Sequence, residues 1–350
     1  MFIVTRKLTQ LILIPLAALS LGCGSTFYLA KLGWHQASVA FHSLPIQEVL
    51  ENPSVDSSVK EEIRFIQEVK RYGEEELGLK RTKSYTTYSE VKGPILYVIT
   101  ACEKDRLQLR TWRFPLVGEV AYKGFFTLKD ADRDKRSLEG KGLDTFVQQA
   151  CAYSTLGWLR DPIYSSLLGR SHAALANLIL HEMTHATVYF KGETGCNEQL
   201  ATFMGNRGAI AFLSERFGAD SQEVREAIAM REDDLLFSRW IDRSCARLSS
   251  FYAGELPREG KLREREGIFR SLKEDFRTIK GRFKTDCHPG LDRLDLNNAT
   301  LMAYWQYLHD LERFEVLYQG SGCDVRKVVE YFKEIRRSGR KPFGFPCAGD

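Results

Sequence analysis

The sequence has no two cysteines spaced as Cys-any-any-Cys, although it contains 8 cysteines among its 350 residues. That lack argues against a thioredoxin-like redox centre and against a structural zinc site built from cysteines. Charge of one sign is also scarce, because 50 Lys and Arg residues stand against 46 Asp and Glu residues. A chain so nearly neutral gives no argument for binding nucleic acid. Linkers, internal repeats and low-complexity tracts are missing as well, so nothing forces a division into separate domains.

The N-terminal segment has the features of a targeting signal and is kept out of the predicted fold. A short positive region precedes an apolar run over residues 8–21, at the end of which Gly22 stands before Cys23. A small residue before a cysteine is typical of a bacterial lipoprotein signal, which predicts cleavage of residues 1–22 and lipidation of Cys23. The alternative is an uncleaved membrane anchor, but a span needs roughly 20 apolar residues.

These features predict a protein of the bacterial cell envelope, held by a lipid anchor in a bacterial membrane. Gly24 after the cysteine favours the outer membrane, facing the periplasm. Disulfides form in such an oxidising compartment, so the other cysteines allow up to about three of them. A bond between Cys323 and Cys347 would tie down the C-terminal tail, although the sequence does not determine the connectivity.

His181, Glu182 and His185 form a His-Glu-any-any-His motif. Residues 173–180 contain neither Pro nor Gly, which predicts one helix running into the motif. Histidines at positions i and i+4 project from one helical face, about 5–6 Å apart at Cβ. Both imidazoles can therefore bind one Zn²⁺ at about 2.0–2.1 Å. Glu182 points elsewhere around the helix and can reach the attacking water as a general base.

Glu198 is the predicted third metal ligand. A second helix is expected to begin at Asn197, and its small residues would let two helix backbones approach closely and bring Glu198 over the histidine pair. Those small residues are Ala201, Gly205, Gly208 and Ala209. Cys196 is an alternative third ligand. It fits less well than Glu198 with the zincin arrangement, in which the metal, the activated water and the general base share a single helical turn. The other interpretation of the motif is a pair of hydrogen-bonded structural histidines with Glu182 in a salt bridge.

The pattern along the chain predicts an α+β fold in which a small sheet precedes the metal-binding helix. Runs rich in β-branched and aromatic residues predict strands within residues 94–100, 112–126 and 145–152. Residues 130–141 form either a charged connector or a helix. Helical periodicity extends over residues 26–92 and from Asn197 to about residue 337.

The predicted organisation is a signal peptide, residues 1–22, followed by a mostly helical zincin-like metallopeptidase domain over residues 23–350. Within this domain the small sheet occupies about residues 94–152 and the metal helices about residues 172–213. A helical C-terminal part covers about residues 214–337. A single large domain and two packed subdomains are equally compatible with the sequence.

Several motifs in this order resemble the bacterial putative aminopeptidases, a family of lipoprotein-type zinc peptidases. The matching segments are residues 122–126, residues 152–158 with Asp161 and Pro162, residues 180–185 with 197–203, and residues 296–299 followed by Tyr307. The likeness extends from the Cys23 region to about residue 330. It implies a Zn²⁺ cofactor on His181, His185 and Glu198, and hydrolysis of peptide bonds. No separate motif for a free α-amine is present, so aminopeptidase specificity rests on the resemblance alone.

The resemblance also places a tyrosine at Tyr307, which makes Tyr307 the first candidate for the donor that stabilises the oxyanion. Tyr153 and His309 are weaker candidates, and Tyr307 is as compatible with an aromatic core position. Asp310 or Asn298 is a candidate for orienting a ligand histidine.

Two other functions stay open at this stage. One is a non-catalytic envelope lipoprotein with a decayed site, and the other is a zinc amidase that acts on cell-wall peptides. His181, Glu182, His185 and Glu198 are all intact, which argues against decay. The expected partners are a peptide substrate and a lipid anchor, without nucleic acid.

Overall fold

The protein is represented by a computed structural model that describes residues 28, 33–34, 38–39, 41–114, 117–150, 155–286, 288 and 290–342. The predicted signal segment with Cys23, the candidate Tyr153 and the tail cysteine Cys347 lie outside the described residues. Among the described residues, no helix is both long and apolar enough to cross a membrane. Cys102, Cys196, Cys245 and Cys323 are free thiols rather than halves of disulfides.

The described part of the chain is a mixture of helices and short strands, in which helices predominate. The helices are α1 (Ile46–Glu51), α2 (Ser57–Glu75), α3 (Leu128–Glu139), α4 (His172–Thr187), α5 (Thr194–Phe217), α6 (Gln222–Ala253), α7 (Arg258–Lys280), α8 (Asn298–Leu308), α9 (Leu311–Gly320) and α10 (Val325–Arg337). The strands are β1 (Leu44–Pro45), β2 (Thr87–Ser89), β3 (Leu96–Glu103), β4 (Trp112–Phe114), β5 (Gly118–Val120), β6 (Lys123–Phe125), β7 (Leu143–Ala150) and β8 (Ile163–Tyr164). The prediction of an α+β class is therefore confirmed.

Ahead of the metal-binding helix, the described strands form three small sheets. β3 is the centre of one, with β6 and β7 antiparallel on its two sides, and its register with β7 runs from Leu96 opposite Ala150 to Glu103 opposite Leu143. β1, β2 and β8 form a second sheet, and β4 pairs with β5 in a third. The described part of the stretch 112–126 thus contains three short strands in two sheets, and residues 130–141 lie largely in helix α3.

Helices α4 and α5 pack closely because α5 has no side chain at two contact positions. A Cβ atom on Gly205 would lie 2.8 Å from the carbonyl oxygen of Asn177, and one on Gly208 would lie 2.9 Å from Leu180 Cδ1. Both distances are shorter than ordinary contacts, so larger residues would push the helices apart. The expectation that small residues bring these two helices together is confirmed.

A buried ion pair fixes the start of helix α8. Arg265 on α7 donates to both carboxylate oxygens of Asp144 on β7, at 2.7 and 2.9 Å. The backbone N–H of Asn298 donates to the same carboxylate at 3.1 Å. Since a bidentate Arg–carboxylate pair is geometrically specific, this contact fixes the start of α8 against β7. Helix α8 carries Tyr307, so the contact also positions that side chain.

In the part of the chain that the structure describes, the apolar core consists of two large clusters and a smaller one. The first surrounds α2, α4, α5 and α10, and the second lies between α6, α7 and α8. The third lies between α3 and the sheet centred on β3. Helix α4 is buried on nearly all sides, including Leu175, Ile179 and Met183, so its position is set by packing rather than by its own helix propensity.

Candidate metal centre

His181 and His185 meet on one face of α4, as their spacing predicted. Ser171 begins this helix, since its side chain accepts a hydrogen bond from the N–H of Ala174. The Nε2 atoms of the two imidazoles are 3.2 Å apart, and the rings are almost perpendicular, at 81°. The two ring nitrogens therefore converge on one point beside α4.

Glu198 on α5 brings a carboxylate to the same place. Its Oε2 atom lies 3.4 Å from Nε2 of His181 and 3.3 Å from Nε2 of His185. The three ligand atoms lie within 4.8 Å of one another, which makes this cluster a possible metal site. Two imidazole nitrogens and one carboxylate oxygen are a donor set that suits catalytic zinc.

The connector between α4 and α5 is closed by Asn197. Its side chain accepts from the N–H of Phe190 and donates to the Phe190 carbonyl, both at 2.8 Å. This double hydrogen bond turns the chain back so that Glu198, the next residue, faces α4. Helix α5 begins at Thr194, three residues before the predicted start at Asn197. The buried Cys196 has its thiol pKa raised by burial, and it is outside the ligand cluster.

The histidines and Glu198 stabilise each other's charged forms. Burial would raise the pKa of Glu198, but His185 and His181 hold it well below its usual range. Burial likewise lowers the pKa of His185, while Glu198 and Glu182 raise it by more, so that the net shift is upward. The carboxylate is therefore ionised and attracts positive charge to this point, which is where a metal ion would lie.

Glu182 is buried beside the cluster and takes no part in it as a ligand. Burial raises its pKa, His181 and His185 oppose the rise, and Glu198 adds to it, leaving the value above normal. A carboxylate whose pKa is moved towards neutrality is suited both to accept and to return a proton. Glu182 is therefore a buried carboxylate of raised pKa that interacts electrostatically with all three residues of the cluster.

A second buried carboxylate, Asp161, lies close enough to interact with Glu182. Its Oδ2 atom accepts from the N–H of Thr155 at 3.0 Å and from the Ser84 hydroxyl at 3.3 Å. Burial raises the pKa of Asp161 to about 6, against the hydrogen bonds from Thr155 and with a contribution from Glu182. The sequence singled out Asp161 only as part of a resemblance, without a role.

Tyr307 reaches the site from α8. Its ring lies nearly parallel to the imidazole of His181, with the centroids 6.3 Å apart. Burial and the charges of Glu198 and Glu182 raise the pKa of Tyr307 well above the usual value, so its hydroxyl stays protonated at neutral pH. A protonated phenol can donate a hydrogen bond, which an oxyanion-stabilising group must do.

The other candidates proposed from the sequence have different partners. Nδ1 of His309 lies 2.6 Å from a carboxylate oxygen of Asp242, and its ring stacks on Trp305. The carboxylate of Asp310 pairs with Arg313 at 3.0 Å.

The Asn298 side chain accepts from the Tyr252 hydroxyl at 2.9 Å and donates to the carbonyl of Glu103 at 2.8 Å. Among the described residues, neither Asn298 nor Asp310 is hydrogen-bonded to a ligand histidine, so that prediction is wrong. Asn298, the first residue of α8, satisfies a loop carbonyl instead, and Asp310, just beyond the end of α8, pairs with the side chain of Arg313.

Sequence reasoning missed the contact that Tyr122 makes with the cluster. The Tyr122 hydroxyl donates to Oε1 of Glu198 at 3.2 Å. Burial, followed by the charge of Glu198, raises the pKa of Tyr122 well above its usual value. Tyr122 lies 76 residues before Glu198 in the chain, so no local spacing could have related them.

Comparisons with known proteins give one match. A family model described as "Putative aminopeptidase" matches residues 27–342. No curated protein and no solved structure matches the chain.

Proposed function

The chain belongs to the putative aminopeptidase family, and from this membership together with its ligand cluster we propose that it is a zinc-dependent peptidase. The observation that carries the proposal is the arrangement of a buried Glu182 beside the converging His181, His185 and Glu198. The helix pair that supplies these groups is also the basis for proposing a zincin-like fold.

In this proposal Zn²⁺ is held by Nε2 of His181, Nε2 of His185 and Oε2 of Glu198. When bound, it would polarise the scissile carbonyl and lower the pKa of water towards neutrality. The choice of zinc follows from the ligands, since two imidazoles and a single carboxylate are a donor set typical of catalytic zinc and would leave one position for water or substrate.

Glu182 is proposed to move the proton. Its carboxylate takes a proton from the attacking water and returns it to the nitrogen of the leaving amine. The raised pKa makes the carboxylate a stronger base towards the water, and it keeps the protonated form accessible for the return of the proton. Burial also keeps bulk water from competing for the carboxylate.

Tyr307 is proposed to donate to the oxyanion that develops on the carbonyl oxygen. Its protonated hydroxyl and its place against His181 support this role. The contact would strengthen as negative charge builds up, which is the condition for accelerating the reaction rather than only binding substrate.

Removal of an N-terminal residue, as the family description suggests, is the proposed specificity. The proposed setting is the bacterial envelope, with residues 1–22 removed and the mature protein anchored by lipid on Cys23. In support, the family match begins at residue 27, downstream of the proposed cleavage point.

The proposed function is tested with the purified full-length chain. Elemental analysis should find about one zinc per chain, and His185→Ala should lose most of it. Digestion of a peptide library should stop when a chelator is added and resume when Zn²⁺ is restored. Retention of all the zinc by His185→Ala, or digestion that a chelator leaves unchanged, would contradict the proposal.

A further inference from the structure

The two carboxylate oxygens of Glu198 have different neighbours. Oε2 faces the Nε2 atoms of His181 and His185, at 3.4 and 3.3 Å. Oε1 accepts the hydrogen bond from the Tyr122 hydroxyl at 3.2 Å. One oxygen is thus presented to the metal site and the other is engaged by the protein.

The position of Tyr122 is set by contacts of the residues just before it. Tyr122 lies in the short turn between β5 and β6. The N–H of the preceding Ala121 lies 3.4 Å from the side-chain oxygen of Thr194, the first residue of α5. A Cβ atom on Gly118 would lie 2.6 Å from Lys191, which shows how closely β5 approaches the connector before α5. The turn that carries Tyr122 is therefore attached to the helix that carries Glu198.

A carboxylate can bind a metal through one oxygen or through both, and it can rotate between these arrangements. A hydrogen bond to one oxygen removes that freedom and leaves the other oxygen in a fixed direction. Partners of this kind typically change metal affinity or activity by about 10–100-fold when they are lost.

We propose that Tyr122 is a positioning residue that holds Oε1 of Glu198 and thereby presents Oε2 to the zinc ion. This inference rests on the proposed function, since it assigns a role within the same metal centre. Tyr122 acts through Glu198 and makes no contact with the substrate. In a direct catalytic role, by contrast, the hydroxyl would stabilise the oxyanion, and its loss would lower kcat without affecting zinc binding.

The experiment measures the zinc dissociation constant of the full-length chain by competition with a chromophoric chelator. Tyr122→Phe removes the hydroxyl and keeps the ring, and it should weaken zinc binding by about 10–100-fold. Tyr189→Phe is the matched control. Tyr189 is a neighbouring half-buried tyrosine whose hydroxyl donates to the carbonyl of Val117 at 3.3 Å instead of to a ligand, so its loss should leave the constant unchanged.

A second measurement separates action through Glu198 from a general effect on the fold. In a Glu198→Ala background only the histidine pair binds zinc, and the further change Tyr122→Phe should then have no effect. An additional loss in that background would overturn the proposal.

The outcomes also separate this proposal from the proposed function. If the wild-type chain bound no zinc, the proposed zinc-dependent function would be contradicted. If the wild type and Tyr122→Phe bound zinc equally tightly, only the proposed role of Tyr122 would be contradicted. Failure of Tyr122→Phe to fold would also overturn the proposal, because it would assign the hydroxyl to the fold rather than to the metal centre.

Discussion

The close approach of α4 and α5 predicts that Gly205→Ala destabilises the protein and weakens zinc binding. A Cβ atom at this position would lie 2.8 Å from both the carbonyl oxygen and the side-chain oxygen of Asn177. The backbone carbonyl belongs to a buried helix and cannot move by itself. Relief of the contact therefore requires the two helices to separate.

The size of the effect follows from two opposing contributions. Overpacking typically costs about 1–3 kcal/mol, and a backbone obstacle favours the upper end of that range. Alanine in a helix regains about 1 kcal/mol relative to glycine. We therefore expect a net loss of about 2 kcal/mol in the free energy of unfolding. His181 lies on α4 and Glu198 lies on α5. Separation of the two helices should therefore move these two proposed ligands apart and weaken zinc binding.

Gly267→Ala is the matched control, because Gly267 is exposed in the interior of α7. The nearest atom to its added Cβ would be a terminal nitrogen of Arg270, 3.9 Å away at the end of a flexible side chain. This variant should gain about 0.5–1 kcal/mol. Thermal unfolding of both variants, with the metal removed by a chelator, should move their midpoints in opposite directions. A rise in both midpoints would refute the packing argument.

Three further predictions concern the site and its setting. Tyr307→Phe should lower kcat by about 10²–10³ with little change in KM, and a kcat within about threefold of the wild type would remove Tyr307 from the mechanism. A chelator should lower the thermal midpoint of the wild type, because a metal ion present at 1,000 times its Kd stabilises the folded state by about 4.1 kcal/mol; an unchanged midpoint would contradict zinc binding. Mass spectrometry of the native N-terminus should find a diacylglyceryl Cys23, whereas an intact peptide from Met1 through Cys23 would indicate an uncleaved anchor.

The local part of the site could be predicted because it depends on one helix. The spacing of His181 and His185 determines that they share a face, whatever surrounds them. Glu198 could be predicted for a related reason, since it follows a short connector and precedes the small residues of α5. Burial of α4 and the converging charges agree with that prediction.

Contacts across long sequence separations could not be predicted in this way. Tyr122 and Asp161 come from loops whose paths depend on the packing of the small sheets and the helices. The stretch 112–126 has a uniform strand-like composition, yet it divides between two sheets. Composition indicates that a segment prefers extended backbone, but it does not indicate the strand with which that segment pairs.

The wrong prediction at α8 has a physical cause. Asn298 and Asp310 were candidates for orienting a ligand histidine, but Asn298 is the first residue of α8 and Asp310 lies just beyond its last residue. In a helix only residues on one face can reach a given point, and residues at its ends are used to satisfy unpaired backbone groups. Asn298 accordingly fixes the beginning of α8 on the sheet, while Asp310 follows its end.

The central claim is that Glu182 acts as the general base beside a bound zinc ion. The most direct test compares wild type with Glu182→Gln for zinc content and for peptide hydrolysis, with Glu312→Gln, an exposed residue paired with Arg239, as the control. The amide keeps the shape of the side chain but cannot accept the proton of the attacking water. We expect about one zinc per chain in all three proteins and a loss of hydrolysis of about 10²–10⁴-fold in Glu182→Gln alone. Hydrolysis by zinc-loaded Glu182→Gln at the wild-type rate would contradict the account.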